Sequence, residues 1–174
     1  MKIIAFGASS SKKSINKQLA TYAVSLLDGV EVEVLDLNDY ELPLFSEDKE
    51  AEMGQPDLAK EFIAKIAESD ALVVSFAEHN GSYSVAYKNL FDWCSRINPK
   101  VFQNKPMLLL STSPGPGGAA SVLSTAVNSA PYFDGDVKSS LSVPSFYENF
   151  DVKAGIINNK EINDQLVNAV QSLV

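Results

Sequence analysis

One histidine, His79, and one cysteine, Cys94, are all that this 174-residue chain holds of the two residue types that most often carry nucleophilic or metal chemistry. A lone cysteine forms no internal disulfide, and without a Cys/His cluster there is no structural zinc site. A single imidazole confines any histidine-based triad to position 79. Cationic charge is scarce as well, since 14 Lys and Arg stand against 22 Asp and Glu, a net charge of −8. A nucleic-acid backbone or an anionic membrane surface calls for a clustered cationic face, so neither is an expected partner. No stretch nears the roughly 18 consecutive apolar residues of a membrane span. The opening Met1–Gly7 is too short for the apolar part of a signal peptide, which makes a cytoplasmic protein the expectation. The rest of the composition, 45% hydrophobic and 21% charged, suits one globular domain over residues 1–174.

Apolar runs and helical periodicities alternate along the chain. Lys2–Phe6 reads as a buried strand, and Ser14 as the cap of a helix whose apolar face is Ile15, Leu19, Tyr22, Ala23, Leu26 and Leu27. Val30–Leu35 alternates valine with glutamate, as an edge strand does. A long acidic connection, Asp36 to Gln55, precedes a helix opened by Pro56-Asp57. Asp70–Phe76 is a continuous apolar run of the central parallel kind, and a helix through Leu90, Trp93 and Cys94 follows it. Lys105–Leu110 is a second central strand, then comes a helix through Val122 and Ala126, the alternating edge strand Val137–Val143, and a closing helix, Glu161–Leu173. Strands joined through helices are parallel and need helices on both faces. The pattern predicts an α/β fold, a doubly wound five-stranded parallel sheet of order 2-1-3-4-5.

In such sheets ligands bind beyond the carboxyl ends of the strands, where the strand order reverses. The loops after the first, third and fourth strands converge there. The first, Gly7 to Asn16, sets Ser9, Ser10, Ser11 and Ser14 before a helix N-terminus, an arrangement suited to phosphate, with Lys12 and Lys13 adding charge. Gly7 through Ser14 reads G-x-x-x-x-K-K-S, which lacks the second glycine of a P-loop, and the dinucleotide fingerprint G-x-G-x-x-G is absent. Asp36, at the place of a ribose-binding acid, reads as a solvated loop carboxylate. The second loop, Glu78-His79-Asn80-Gly81-Ser82-Tyr83, gathers groups able to hold the edge of a planar heterocycle. Asn80-Gly81 by itself signals a hairpin, but the helix expected directly afterwards argues against one. The third, Ser111–Gly118, is poor in side chains and lets backbone N–H groups approach a flat ligand. Trp93 and Cys94 read as core.

Taken in order, these segments resemble the NADPH-dependent FMN reductases, the flavodoxin-like flavin, quinone, azo and chromate reductases. Ser9 through Asn16 is similar to the family's phosphate loop, G-S-x-R-x-x-S-x-N. Glu78 to Tyr83, with Lys88-Asn89 and Asp92-Trp93, is similar to P-E-Y-N-x-S followed by L-K-N-x-x-D-W, and Ser111–Gly118 to S-x-G-x-x-G-G. The resemblance implies that Ser9, Ser11, Ser14 and Asn16 hold the FMN phosphate. It places Glu78, His79, Asn80, Gly81 and Ser82 along the ribityl chain and one edge of the ring, and Ser111, Ser113, Gly115, Gly117 and Gly118 along the other. Three positions depart from the family pattern: Ser11 stands in place of an arginine, Ala77 of a proline and His79 of a tyrosine.

The implied activity is hydride transfer from NADPH or NADH to bound FMN and on to a quinone or other small acceptor, with no side chain acting as acid or base. The rival expectation is a flavodoxin-like electron carrier or flavin-binding module without nicotinamide-dependent turnover. The resemblance also implies a homodimer or homotetramer, with Asp39–Gln55 and Ser145–Asn159 as interface, lid or plain surface loops.

Overall fold

A computed structural model, describing residues 1–174, opens with β1 (Lys2–Ala8), whose Ile3–Phe6 run is fully buried. α1 (Ile15–Ser25) starts at Ser14, whose hydroxyl accepts from the Lys17 N–H at 3.1 Å. Then come β2 (Glu31–Leu35), a short 3-10 turn at Leu37–Tyr40, α2 (Glu47–Met53) and α3 (Asp57–Glu68). β3 (Ala71–Phe76) leads into the two-residue strands β4 (Glu78–His79) and β5 (Ser82–Tyr83), and these into α4 (Val85–Ile97). β6 (Lys105–Thr112), α5 (Ala120–Ser129) and β7 (Gly135–Val143) follow. The chain closes with α6 (Phe146–Asn149), β8 (Phe150–Asp151), β9 (Ile156–Ile157) and α7 (Lys160–Gln171).

Five of these strands form one parallel sheet, ordered β2-β1-β3-β6-β7. Counting only its own strands, that is the expected order 2-1-3-4-5. β3 is buried along its whole length, while β2 and β7 at the edges keep exposed positions, as their alternating sequences require. α1 and α7 cover one face through Leu19, Ala23, Leu166 and Val170. α3, α4 and α5 cover the other through Phe62, Ile66, Leu90, Trp93 and Val122. No helix is long and apolar enough to cross a membrane.

Two segments differ from expectation. The hairpin signal at Asn80-Gly81 holds: Glu78 pairs antiparallel with Tyr83 and His79 with Ser82, and α4 starts directly afterwards. Asn80 (φ 52°) and Gly81 (φ 76°) both take the left-handed conformation that a two-residue hairpin turn demands. A helix after the turn is therefore no obstacle, because each arm needs only two residues. The acidic connection is also not a plain loop. Asn89 accepts from the Phe45 N–H at 2.8 Å and donates to the carbonyls of Leu42 and Pro43, and the Trp93 indole N–H donates to Pro43 at 2.7 Å. Arg96 meets Glu50 at 2.9 Å. The Asn89 and Trp93 of the helix motif thus fasten this segment along α4.

Candidate functional site

β1, β3 and β6 are adjacent, and their carboxyl ends deliver all three loops to one edge of the sheet. The first loop can press against the sheet because residue 7 is glycine. A Cβ there would lie 2.4 Å from the Lys17 backbone nitrogen. Around it the loop closes on itself: Ser9 N–H donates to the Gly7 carbonyl, Ser11 N–H to the Ser9 hydroxyl and Ser14 N–H to the Ser11 carbonyl. The Ala8 carbonyl accepts from the Ser84 hydroxyl at 2.8 Å. The N–H groups of Ser10, Lys12, Lys13, Ile15 and Asn16 are left without protein acceptors. These include the first orphan donors of α1, at its positive end.

Asn16 lines the cleft, and its side chain is also bonded within the fold. Its side chain is 2% exposed, and its Oδ1 accepts from the Ser75 hydroxyl at 2.7 Å and the Thr112 N–H at 3.0 Å. Its Nδ2 donates to the Thr112 carbonyl at 3.1 Å. The amide therefore stitches the start of α1 to the ends of β3 and β6 from beneath the loop.

Glu78, on the first arm of the hairpin, accepts the Val122 N–H at 2.8 Å. It supplies the cap that Ala119, which has no side-chain oxygen, cannot give α5. His79, Asn80, Gly81 and Ser82 are exposed and their side chains make no hydrogen bonds within the protein.

The third loop engages several of its own carbonyls. The Gly115 carbonyl takes the N–H groups of Gly118 and Ser145 and the Ser113 hydroxyl. The Gly118 carbonyl takes the hydroxyls of Ser111 and Ser142 at 2.7 and 2.9 Å. Gly117 accepts from Ala120, and Ser113 from Phe146. The N–H groups of Gly115 and Gly117 stay free, and a Cβ at either position would meet nothing. Gly118 is fixed by packing instead, at φ 58°, with a Cβ 2.3 Å from the Ser142 hydroxyl. Ser111 is wholly buried beneath the loop. The 145–159 segment is fastened to this loop through Ser145 and Phe146.

A cleft of about 240 Å³ lies between these loops. It brings together Ser9, Ser11, Ser14 and Asn16 of the first loop, Glu78 and His79 of the second, and Ser113 of the third. Asn80, Gly81, Ser82, Ser111, Gly115, Gly117 and Gly118 are not part of its wall. Two lining residues carried no sequence signal of their own as ligand groups, Thr112 and Tyr147. Lys13 also lines it and stands in no ion pair, whereas Lys17 is tied to Asp36 at 2.6 Å. That hydrogen bond, followed by one from the Asn38 N–H, holds the Asp36 carboxyl below its usual range, so Asp36 is a structural partner of α1.

The donor set fits a phosphate-bearing flat cofactor. Residues 7–17 contain no carboxylate and present free N–H groups and serine hydroxyls, and the one acid that lines the cleft, Glu78, accepts from the start of α5. Cys94 is no part of it: it is buried in the core, where its thiol is pushed up to about 12.

The sequence pattern of the NADPH-dependent FMN reductases matches residues 1–145. An Arabidopsis thaliana NADPH:quinone oxidoreductase is 33% identical over 125 residues, 70% of this chain and 62% of that protein. A 2-hydroxy-1,4-benzoquinone reductase from a Burkholderia species is 34% identical over 122 residues, 69% of this chain and 64% of the other. The chain thus matches less than two thirds of the length of these relatives. Among solved structures, a Paracoccus denitrificans flavoenzyme NAD(P)H:(acceptor) oxidoreductase superposes over 99% of this chain and 94% of its own, with a TM-score of 0.81 at 24% identity. With the family pattern running from β1 to the start of α6 and the three loops set at its switch point, the chain belongs to the NADPH-dependent FMN reductase family.

Proposed function

We propose that residues 1–174 act as one FMN-dependent NAD(P)H oxidoreductase that reduces a quinone or another small acceptor. The observation that carries this is the set of N–H groups without protein acceptors at the start of α1, those of Ser10, Lys12, Lys13, Ile15 and Asn16, in a loop with serines and no carboxylate. Ser9, Ser11 and Ser14, with the free N–H groups of Ile15 and Asn16, hold the phosphate at the start of α1. Lys13 supplies the positive charge that Ser11, in place of arginine, does not. Ser113 and the hairpin arm at Glu78–His79 flank the ring. Once bound, FMN supplies the hydride and electron chemistry. Asn16 keeps the two loops in register while leaving its amide out of ligand contact. A cytoplasmic setting and assembly as a homodimer or homotetramer go with this proposal, and the exposed Leu44 and Val85, which border the first loop's neighbour groove, support such assembly.

The test is the visible spectrum of protein loaded with FMN and desalted, then treated with NADPH or NADH under argon. A retained flavin band that bleaches and recovers on adding a quinone supports the proposal. A retained band that neither nicotinamide bleaches points to an electron carrier. No retained band overturns the assignment of the cleft.

A further inference from the structure

A second cavity, of about 290 Å³, lies between α4 and α5 and shares no lining residue with the first. Its floor is Met107 and Leu109 of β6, and its walls include the rings of Phe76, Tyr87, Phe91 and Phe133. Those rings meet edge to face, Tyr87 on Phe76 at 5.2 Å and Phe91 on Phe133 at 4.7 Å. Lys88 and Asp92, the charged residues of the lining, neutralise each other at 2.7 and 2.8 Å. The cavity reaches solvent beside the exposed Lys88 and Thr125.

Tyr87 is the informative wall residue. It is 6% exposed, yet its hydroxyl makes no hydrogen bond in the protein, whereas that of Tyr83 meets Ser129 at 3.3 Å and that of Tyr22 donates to Asn163. No side-chain polar atom of the protein is both shut off from solvent and unpartnered, so this hydroxyl opens onto the cavity that Tyr87 lines. Burial also keeps this phenol well above its ordinary range, so it stays a neutral donor. A dry cavity of about 150 Å³ admits benzene, so this one has room for a second fused ring.

We propose that the cavity binds a small, uncharged aromatic molecule of one or two rings, held by a hydrogen bond from Tyr87 to an oxygen on the ligand. The site is independent of the flavin assignment. It is tested by titrating the full chain, with and without FMN, with 1-tetralone, a neutral two-ring ketone, and with tetralin, which lacks the oxygen. The expected result is saturable binding of 1-tetralone that FMN does not displace. Tyr87→Phe should weaken 1-tetralone about five-fold, the worth of one hydrogen bond, and leave tetralin unchanged. Ala126→Leu, which grows a side chain into the cavity from α5, should abolish both while FMN is still retained. Nuclear Overhauser contacts from 1-tetralone to the Phe91 and Phe133 rings locate the ligand in the parent protein, independently of how either variant folds. Absence of saturable binding, competition with FMN, equal loss of both ligands in Tyr87→Phe, or exclusion of the ligand by self-association of the chain would each overturn the proposal.

Discussion

Replacing Asn16 by alanine tests whether one buried amide holds the site's loops in register. The change removes the bonds from the Ser75 hydroxyl and the Thr112 N–H and the bond to the Thr112 carbonyl. Ser75 and Thr112 are 0% and 1% exposed, so water does not replace what is lost. An intramolecular hydrogen bond is worth about 1 kcal/mol net and a stranded buried group costs about 1–3 kcal/mol, which sets the expected loss near 3–4 kcal/mol, roughly. For a chain of this length each kcal/mol lowers Tm by about 2–4 °C, so the drop should be about 6–16 °C. Thermal unfolding should be measured on flavin-free protein, because bound ligand raises Tm by linkage. Asn16→Asp adds a sign. Its carboxylate would face the Thr112 carbonyl and ionise less readily folded than unfolded. The stability this acid contributes is therefore present below the ordinary carboxyl range, about pH 4, and lost as the pH rises. Relative to the parent, Asn16→Asp should be far weaker at pH 8 than at pH 4.5. A Tm within about 2 °C of the parent for Asn16→Ala, or an equal deficit for Asn16→Asp at both pH values, would refute the reasoning.

Gly7→Ala forces a Cβ to within 2.4 Å of the Lys17 nitrogen and should cost about 1–3 kcal/mol in urea unfolding, with FMN retention falling alongside; an unchanged midpoint contradicts the close approach. Lys13→Ala should weaken FMN binding about ten-fold while leaving riboflavin, which has no phosphate, unaffected, as read by fluorescence quenching; Lys12→Ala serves as the control. Asp36, depressed first by its hydrogen bond from Lys17, contributes stability that is complete above the ordinary carboxyl range and lost as the pH falls below it. Asp36→Asn and the parent should accordingly differ at pH 7 and converge towards pH 2. Cys94, with its thiol pushed up to about 12 by burial, should resist iodoacetamide at pH 8 until the chain unfolds; labelling of the native protein at the rate of a free thiol would be the contrary result.

Much of the architecture was legible because it rests on period and contrast. The alternation of Val32 and Val34 with Glu31 and Glu33 marked an edge, and the unbroken Ala71–Val74 run marked the centre. Strand order followed from those two facts and the parallel connections. The convergence of three loops followed in turn, and the cleft lies where they meet. What the sequence concealed was which polar groups face inward. Asn16 and Ser111 have the same composition signature as exposed ligand donors, and only their partners, 96 and 7 residues away, show that they face the core. At Asn80-Gly81 the local turn signal outweighs the nearby helix, because the second arm ends at Tyr83 and α4 begins at Val85. Tyr87 carries no separate signal in the sequence, because it shares the inner face of α4 with Leu90, Trp93 and Cys94.

The bond from Glu78 to the start of α5 ties the second and third loops into one mechanical piece. Loop exchange between relatives therefore has a fixed unit: a hairpin transplanted without its acid strips the cap from a helix some 44 residues downstream in the sequence. His79, one position along, is under no such constraint, since it is exposed and its side chain is unbonded. Sequence drift at position 79 can thus reshape the rim of the cleft while the scaffold beneath it is untouched. That contrast between adjacent residues offers a protein engineer a free site beside a locked one.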